Sequence, residues 1–227
     1  AGQVWYQGVY GPWQVTPADE REVFLYRLGL NVAAGSFCLG SVSGFLGQDW
    51  ALDPLLCSGA AGFGLSLALI HVYVTPLKRL VQALWLAGVV GCAGVAAVSG
   101  AGEPVARSVA AHPAEVWAVG PLFASLTGVA LKEGLCYGKP EAAGVMVLSP
   151  ATLLLHLAGA PAAVTAPLLA AWCASFAAFG YGKWSQEVKD DIGDKSVFEF
   201  QAMPPEQQAA VMARAEQLQQ QQQQQQG

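Results

Sequence analysis

Four ionisable side chains stand inside, or at the edge of, long apolar runs: His71, Lys132, Glu133 and His156. Charge is costly to bury in hydrocarbon, so each of them calls for a polar partner or marks a functional site. Lys132 and Glu133 are adjacent and therefore project from different faces of one helix. A carboxylate, an ammonium and an imidazole brought to one depth could hold an ion or pass a proton. The candidate gathering is a polar pocket of His71, Tyr73, Lys132, Glu133, Tyr137 and Arg27, all at the same end of the apolar runs that carry them. The plainer reading is a structural interface in which Lys132 reaches outward to water along its apolar stem.

Other patterns are weaker. GAAGFG at residues 59–64 superficially suggests a phosphate loop, but it lies inside an apolar run with no strand before it, so helix packing explains it better. DDIGDKS at residues 190–196 lacks the D-x-[DN]-x-[DN]-G spacing of a calcium loop. The five cysteines form no CxxC pair, and Cys38, Cys92 and Cys173 fall in apolar runs, where cysteine acts as a small hydrophobe. His71 and His156 invite a haem or metal reading. Counted along their helices they lie about 6 Å and about 18 Å from one boundary, whereas ligands of one metal each lie about 2 Å from it. No metal, cofactor or catalytic residue is expected.

The elements that must position these residues are membrane spans. The chain has 227 residues, 54% hydrophobic and only 12% charged, against about 25% charged in a soluble domain. Six apolar runs, at residues 28–47, 55–75, 80–99, 116–131, 144–159 and 163–182, approach the roughly 20 residues that cross a bilayer. None has the polar stripe of a soluble amphipathic helix. The expected fold is all-α, a polytopic bundle of six transmembrane helices with short extramembrane ends. Lysine and arginine sort by side. Ten of the eleven (Arg21, Arg27, Lys78, Arg79, Lys132, Lys139, Lys183, Lys189, Lys195 and Arg214) fall on the side of both termini, and only Arg107 falls opposite. Tyr26, Tyr73, Tyr137, Tyr181 and Trp184 mark the basic boundary, and Trp50 and Trp117 the other, with Trp172 left near mid-membrane. Small residues four apart, at Gly40 and Gly44, Ala93 and Ala97, and Ala170 through Gly182, are candidate helix contacts.

The domain reading is residues 1–27 as an extramembrane segment and helix start, 28–182 as the transmembrane domain, 183–203 as an ordered extramembrane segment, and 204–227 as a short helix with a Gln-rich disordered tail. Residues 1–15 suggest strand, turn and strand. Thr16 suits a helix cap, with Pro17 at the first position and acids after it. In the C-terminal segment Asp191, Asp194, Lys195, Val197, Phe198 and Phe200 form a candidate partner-docking surface, because apolar residues in a polar stretch normally cover something. With no basic patch, nucleic acid is not a partner; the lipid bilayer is, and another membrane protein complex is a candidate. The chain begins AGQVWYQGVYGPWQV without Met, as a mature protein that has lost a targeting segment would, and equally as a trimmed chain would.

Four stretches together, DEREVFLYRLGL (19–30), GLSLALIHVYVTPLKRLVQALWLAG (64–88), TGVALKEGLCYG (127–138) and DIGDKSVFEF (191–200), resemble the uncharacterised integral membrane proteins grouped as domain of unknown function 2301. The resemblance runs over roughly residues 3–200, and the 100–115 loop and the Gln tail depart from it. It implies a cyanobacterial or plastid setting: a chloroplast membrane, thylakoid or inner envelope, crossed several times with both termini on the stromal side. It carries no reaction. The expected function is that of a non-enzymatic accessory, assembly or subunit protein of a photosynthetic or plastid membrane complex. The alternative is a small-molecule or ion transporter of two inverted three-helix repeats, suggested by His71 with Pro76 and His156 with Pro161 at matching places in each half. An enzyme is the least supported class.

Overall fold

A computed structural model describes residues 4–100 and 102–213, and gives the backbone alone at Leu135, Cys136 and Tyr137. The Gln run and the last part of the expected C-terminal helix lie outside the described residues; residues 205–213 are helical. The chain divides into two compact units, one of Phe24–Gln186 and one of Ala1–Val23 with Glu187–Gly227.

In chain order the longer elements are β1 (Trp5–Gln7), β2 (Pro12–Gln14), α1 (Pro17–Phe45), α2 (Leu52–Leu69), α3 (Thr75–Val98), α4 (Val105–Ala111), α5 (Val116–Tyr137), α6 (Pro140–Leu157), α7 (Ala162–Gly182), α8 (Val188–Ile192) and α9 (Lys195–Ala202). Among the described residues six helices are long and apolar enough to cross a membrane, and they coincide with the six expected spans. At 1.5 Å per residue the 29 residues of α1 extend about 43 Å, well beyond a hydrocarbon core about 30 Å thick. Its charged first turns, with Asp19, Glu20 and Arg21, therefore lie outside the apolar stretch that begins at Leu28.

Helix ends follow local chemistry. Pro76 and Pro140 stand in the first turns of α3 and α6, where a missing N–H costs nothing. Gly138, with φ 63°, takes the left-handed conformation that ends α5, and Gly159, with φ 76°, turns the chain between α6 and α7. The second span stops six residues short of its expected end. Ile70 is extended, and residues 70–74 form a linker, so His71 and Tyr73 stand on a loop rather than on a helix end. The 100–115 segment, read as a loop in the sequence, contains α4. Its Arg107 Nε donates to Asp49 Oδ1 at 2.8 Å, and its Val105 N–H donates to Asp53 Oδ1 at 3.0 Å.

The six spans form a ring in sequence order, and every seam carries a glycine. A Cβ added at Gly29 (α1) would collide with the Gly62 carbonyl (α2), at Gly64 (α2) with the Trp85 ring (α3), and at Gly91 (α3) with the Ala118 carbonyl (α5). It would lie 3.2 Å from Ala143 N between α5 and α6 (Gly134), 2.6 Å from Ser175 Oγ between α6 and α7 (Gly144), and 3.1 Å from Asn31 Oδ1 between α7 and α1 (Gly180). Backbones approach this closely in lipid only where side chains are minimal. The stripes expected from four-residue spacing are not these seams. Ala93, Ala97, Ala170, Ala174 and Ala178 are exposed on the outside of the ring, and Cβ atoms at Gly40 and Gly44 would make only ordinary contacts. Spacing alone does not say which way a stripe faces.

The ring interior is filled at mid-depth by aromatic rings. Phe37, Phe123, Trp172 and Phe176 lie with centroids 5.4–6.5 Å apart, and the Trp172 indole donates to Ser149 Oγ at 2.7 Å. Trp50, Trp117 and Tyr181 are exposed by three-quarters or more, as interfacial residues are. Tyr26, expected beside them, is buried instead.

The smaller unit is built around the N-terminal hairpin. Trp5 pairs with Gln14 and Tyr6 with Trp13 in antiparallel register. Thr16 caps α1 as expected: the Asp19 N–H donates to Thr16 Oγ1 at 3.3 Å, while the Thr16 N–H and hydroxyl both donate to Asp19 Oδ2. The C-terminal segment packs on the hairpin. The Val9 N–H donates to Asp194 Oδ2 at 2.7 Å, the Tyr10 ring stacks on Phe200 with centroids 4.0 Å apart, and Lys195 Nζ lies 2.7 Å from Asp19 Oδ2. Three of the six residues expected to meet a partner, Asp194, Lys195 and Phe200, thus meet their own chain.

Candidate functional site

At the basic end of the ring the C-terminal ends of α5 and α7 converge with α1 and the linker between α2 and α3. Glu133 lies one turn from the end of α5, and Lys183 directly follows α7. Lys183 Nζ donates to Glu133 Oε2 at 2.8 Å, and both side chains are 0% exposed. The same ammonium donates to Gln186 Oε1 at 3.1 Å and lies 5.5 Å from the centre of the Tyr26 ring. A buried charge needs such a complete shell, because each ion gives up several kcal/mol of hydration. The negative end of the α7 dipole adds to it. Glu133 Oε1 is buried, accepts no hydrogen bond among the described residues, and lies 4.0 Å from Lys132 Nζ.

Around this pair runs a girdle of contacts to backbone carbonyls. Lys132 Nζ donates to the His71 carbonyl at 2.8 Å, and Arg27 Nη2 to the Gln186 carbonyl at 2.8 Å. The Asn31 amide donates to both Arg27 O and Gly180 O at 2.9 Å, joining α1 to α7.

The structure brings Arg27, His71, Lys132 and Glu133 to one end, where Lys132 meets the His71 carbonyl and lies 4.0 Å from the Glu133 carboxylate. His71 contributes its carbonyl to Lys132. Tyr73 is half-buried on the same linker, and the Tyr137 side chain lies outside the described residues. Lys132 reaches the linker and Glu133 the interior, yet their charged ends stay 4.0 Å apart. Sequence reasoning missed Lys183, Gln186, Tyr26 and Asn31. A signal existed for the first. A carboxylate within a span needs a cation, and besides its neighbour Lys132, 4.0 Å away, Lys183 abuts the last span at the same depth. Among the described residues no three histidine, cysteine or acidic side chains converge as metal ligands do. Chemically the cluster is a clamp: an ion pair and bonds to backbone carbonyls tie α5, α7, α1 and a linker at one level.

A family model described as Uncharacterized integral membrane protein (DUF2301) matches residues 65–200. The chain belongs to that family. No curated protein and no solved structure matches the chain. The family match in this DUF2301 protein takes in Lys132, Glu133 and Lys183, but begins inside α2 and so leaves out Tyr26, Arg27 and the 19–30 stretch.

The other end of the DUF2301 ring is hollow. Two adjoining spaces of about 310 and 490 Å³ open between the aromatic layer and α4, sharing Phe45, Leu56, Phe123 and Leu169 in their walls. The larger touches all six spanning helices. His156, in the last turn of α6, lines it, with Nε2 2.8 Å from the Val109 carbonyl of α4. His71 and His156 thus stand at opposite ends of the ring.

Proposed function

We propose that this DUF2301 protein is a non-enzymatic accessory, assembly or subunit protein of a photosynthetic or plastid membrane complex. It sits in a thylakoid or inner envelope membrane with its basic side toward the stroma. The observation that carries this reading is the hairpin of the smaller unit. Val4, Trp5 and Val9 are 62%, 60% and 74% exposed there, outside any apolar span, and apolar side chains held out by an ordered element suit contact with another surface. The chloroplast setting rests on the distribution that the family resemblance implies, and the side on the asymmetry of lysine and arginine. The basic-end clamp is read as structural, since Lys183 is paired with Glu133 while Lys132 and Arg27 are bonded to backbone carbonyls. A transporter of two inverted repeats gains from the three-plus-three order of the ring. It also needs a polar route, and the layer of Phe37, Phe123, Trp172 and Phe176 fills the place where that route would run.

The test is co-purification of the tagged full chain from native membranes, beside the double variant Trp5→Glu/Val9→Glu. The wild type should migrate on native gels with a larger complex, and the variant alone, with unchanged helix content. A wild-type chain that always migrates alone, and whose loss leaves every complex unchanged, defeats the proposal.

A further inference from the structure

We propose that the hollow inside the helix ring is a binding site for one neutral, mostly hydrocarbon molecule whose carbonyl or hydroxyl oxygen accepts a hydrogen bond from Thr152. The two spaces, about 310 and 490 Å³, fall within the 300–1,000 Å³ or so of small-molecule sites. Their position separates them from ordinary lipid contact. The larger is bounded by α1, α2, α3, α5, α6 and α7 at once and partly roofed by α4, with part of its boundary open, so an occupant meets residues of all seven helices.

The walls decide the chemistry. They are apolar apart from a few side chains, most of which are engaged within the protein. Ser36 Oγ meets Ser58 Oγ at 2.9 Å, the Ser41 hydroxyl donates to the Phe37 carbonyl, and His156 meets α4. Arg107 donates to Asp49 Oδ1 at 2.8 Å and to the Gly44 carbonyl at 2.7 Å. It is the only lysine or arginine of the loops at this end, so no cation is left over for an anionic head. Thr165 is half-buried. Thr152 differs from all of these: its hydroxyl is buried and has no hydrogen-bond partner among the described residues.

A helical threonine or serine commonly bonds back to the carbonyl four residues earlier. Thr127 does so to Phe123 at 2.9 Å and Ser149 to Val145 at 2.7 Å, on these same walls of the ring. Thr152 does not; its side chain lines the larger space, and a rotation about χ1 presents the now buried hydroxyl there. Pro121, Pro150 and Pro167 each interrupt the hydrogen-bond ladder of α5, α6 or α7 in this half of the ring, which frees the helices to part there. An occupant with its oxygen at Thr152 extends its hydrocarbon into the smaller space, where Gly40 and Gly44 leave room. The aromatic layer is the floor. The roof is fastened by Val105 N–H to Asp53, Arg107 to Asp49 and to the Gly44 carbonyl, and Val109 O to His156. The inference stands on the cavity and does not depend on the docking surface of the hairpin.

The test uses the full chain in phosphatidylcholine nanodiscs and a photoreactive diazirine-bearing long-chain ketone, with labelled peptides mapped by mass spectrometry. Labelling should be saturable, competed by unlabelled ketone, and concentrated on α4 and on α6 around Thr152. Thr152→Val keeps the volume and removes the hydroxyl; it should weaken labelling about 2- to 12-fold, the worth of one hydrogen bond. Ala110→Phe, on α4 and outside the spans, fills the hollow and should abolish labelling without lowering the melting temperature. Ala166→Phe does the same from α7 if the first variant misfolds. A phosphatidylcholine with a diazirine in its acyl chain identifies the source. If it labels the same residues the occupant is a bilayer lipid tail with its ester carbonyl; if only the ketone does, it is a free molecule. Either result upholds the site. The proposal is overturned if labelling falls only on outward residues such as Trp117 and Leu154, if neither filling variant changes it, if Thr152→Val binds as the parent does, or if a carboxylate probe of equal length outcompetes the ketone.

Discussion

Lys183→Met tests the basic-end clamp most directly. Methionine keeps most of the apolar stem and volume but removes the ammonium. Glu133 would then stand 0% exposed without its 2.8 Å hydrogen bond, and Gln186 would lose its 3.1 Å contact. Breaking a buried ion pair from one side costs about 3–5 kcal/mol, because the remaining charge stays desolvated. Lys132 Nζ, 4.0 Å from the other carboxylate oxygen, softens this, so about 3 kcal/mol is expected. For a chain of this size that corresponds to a fall in Tm of roughly 6–12 °C, readable by thermal unfolding in detergent. Glu133→Met alone should cost a similar amount, since it strands the ammonium. The double variant Lys183→Met/Glu133→Met replaces the pair by apolar side chains of like volume, and should return to within about 1 kcal/mol of the parent or exceed it. The signature is this non-additivity, a coupling above about 2 kcal/mol. If either single variant unfolds within about 1 kcal/mol of the parent, water reaches the pair and it is an ordinary interfacial contact. If the double variant is as unstable as the sum of the singles, packing rather than charge holds these helices together.

Gly91→Ala should destabilise by about 1–3 kcal/mol, because its Cβ meets the Ala118 carbonyl on α5; Gly94→Ala, with nothing within 4 Å, should be neutral or gain up to about 1 kcal/mol. Equal effects in detergent unfolding would remove the glycine-seam account of the ring. Burial pulls the Asp19 carboxyl up, but hydrogen bonds from Lys195 and Thr16 outweigh it and hold it below its ordinary value of 3.8. A carboxyl lowered on folding stabilises above its unfolded pKa and loses that contribution as pH falls through the folded one. Amide exchange in residues 194–202 should therefore be faster in Lys195→Met than in the parent at neutral pH, with the difference fading below about pH 4; a difference that persists at pH 2 would show that the ion pair is not its cause.

Composition determined the six spans without reference to any contact, and charge sorting set the expected direction. Apolar length and the side chosen by lysine and arginine are one-dimensional properties, and the bilayer is the solvent that reads them. Thr16 as a cap, Pro76 and Pro140 at helix starts, and the N-terminal hairpin were legible for the same reason: each depends on residues within a few positions. What the tertiary structure decided is which face of each helix turns inward. Ala170, Ala174 and Ala178 have the spacing of a contact stripe yet face outward, while Gly29, Gly88 and Gly91 sit at the seams. Tyr26 was counted as interfacial and lies over the Lys183 ammonium. His71 stands on a linker because Ile70 is extended, and its carbonyl accepts from Lys132. Glu133 was marked as costly to bury, but its partner lies 50 residues on, and sequence distance says nothing about which helices become neighbours in a ring. The hollow at the far end left no local signature either. It exists because α4, drawn from a loop, closes over helices that an aromatic layer holds apart, and a cavity is a property of six surfaces together rather than of any one of them.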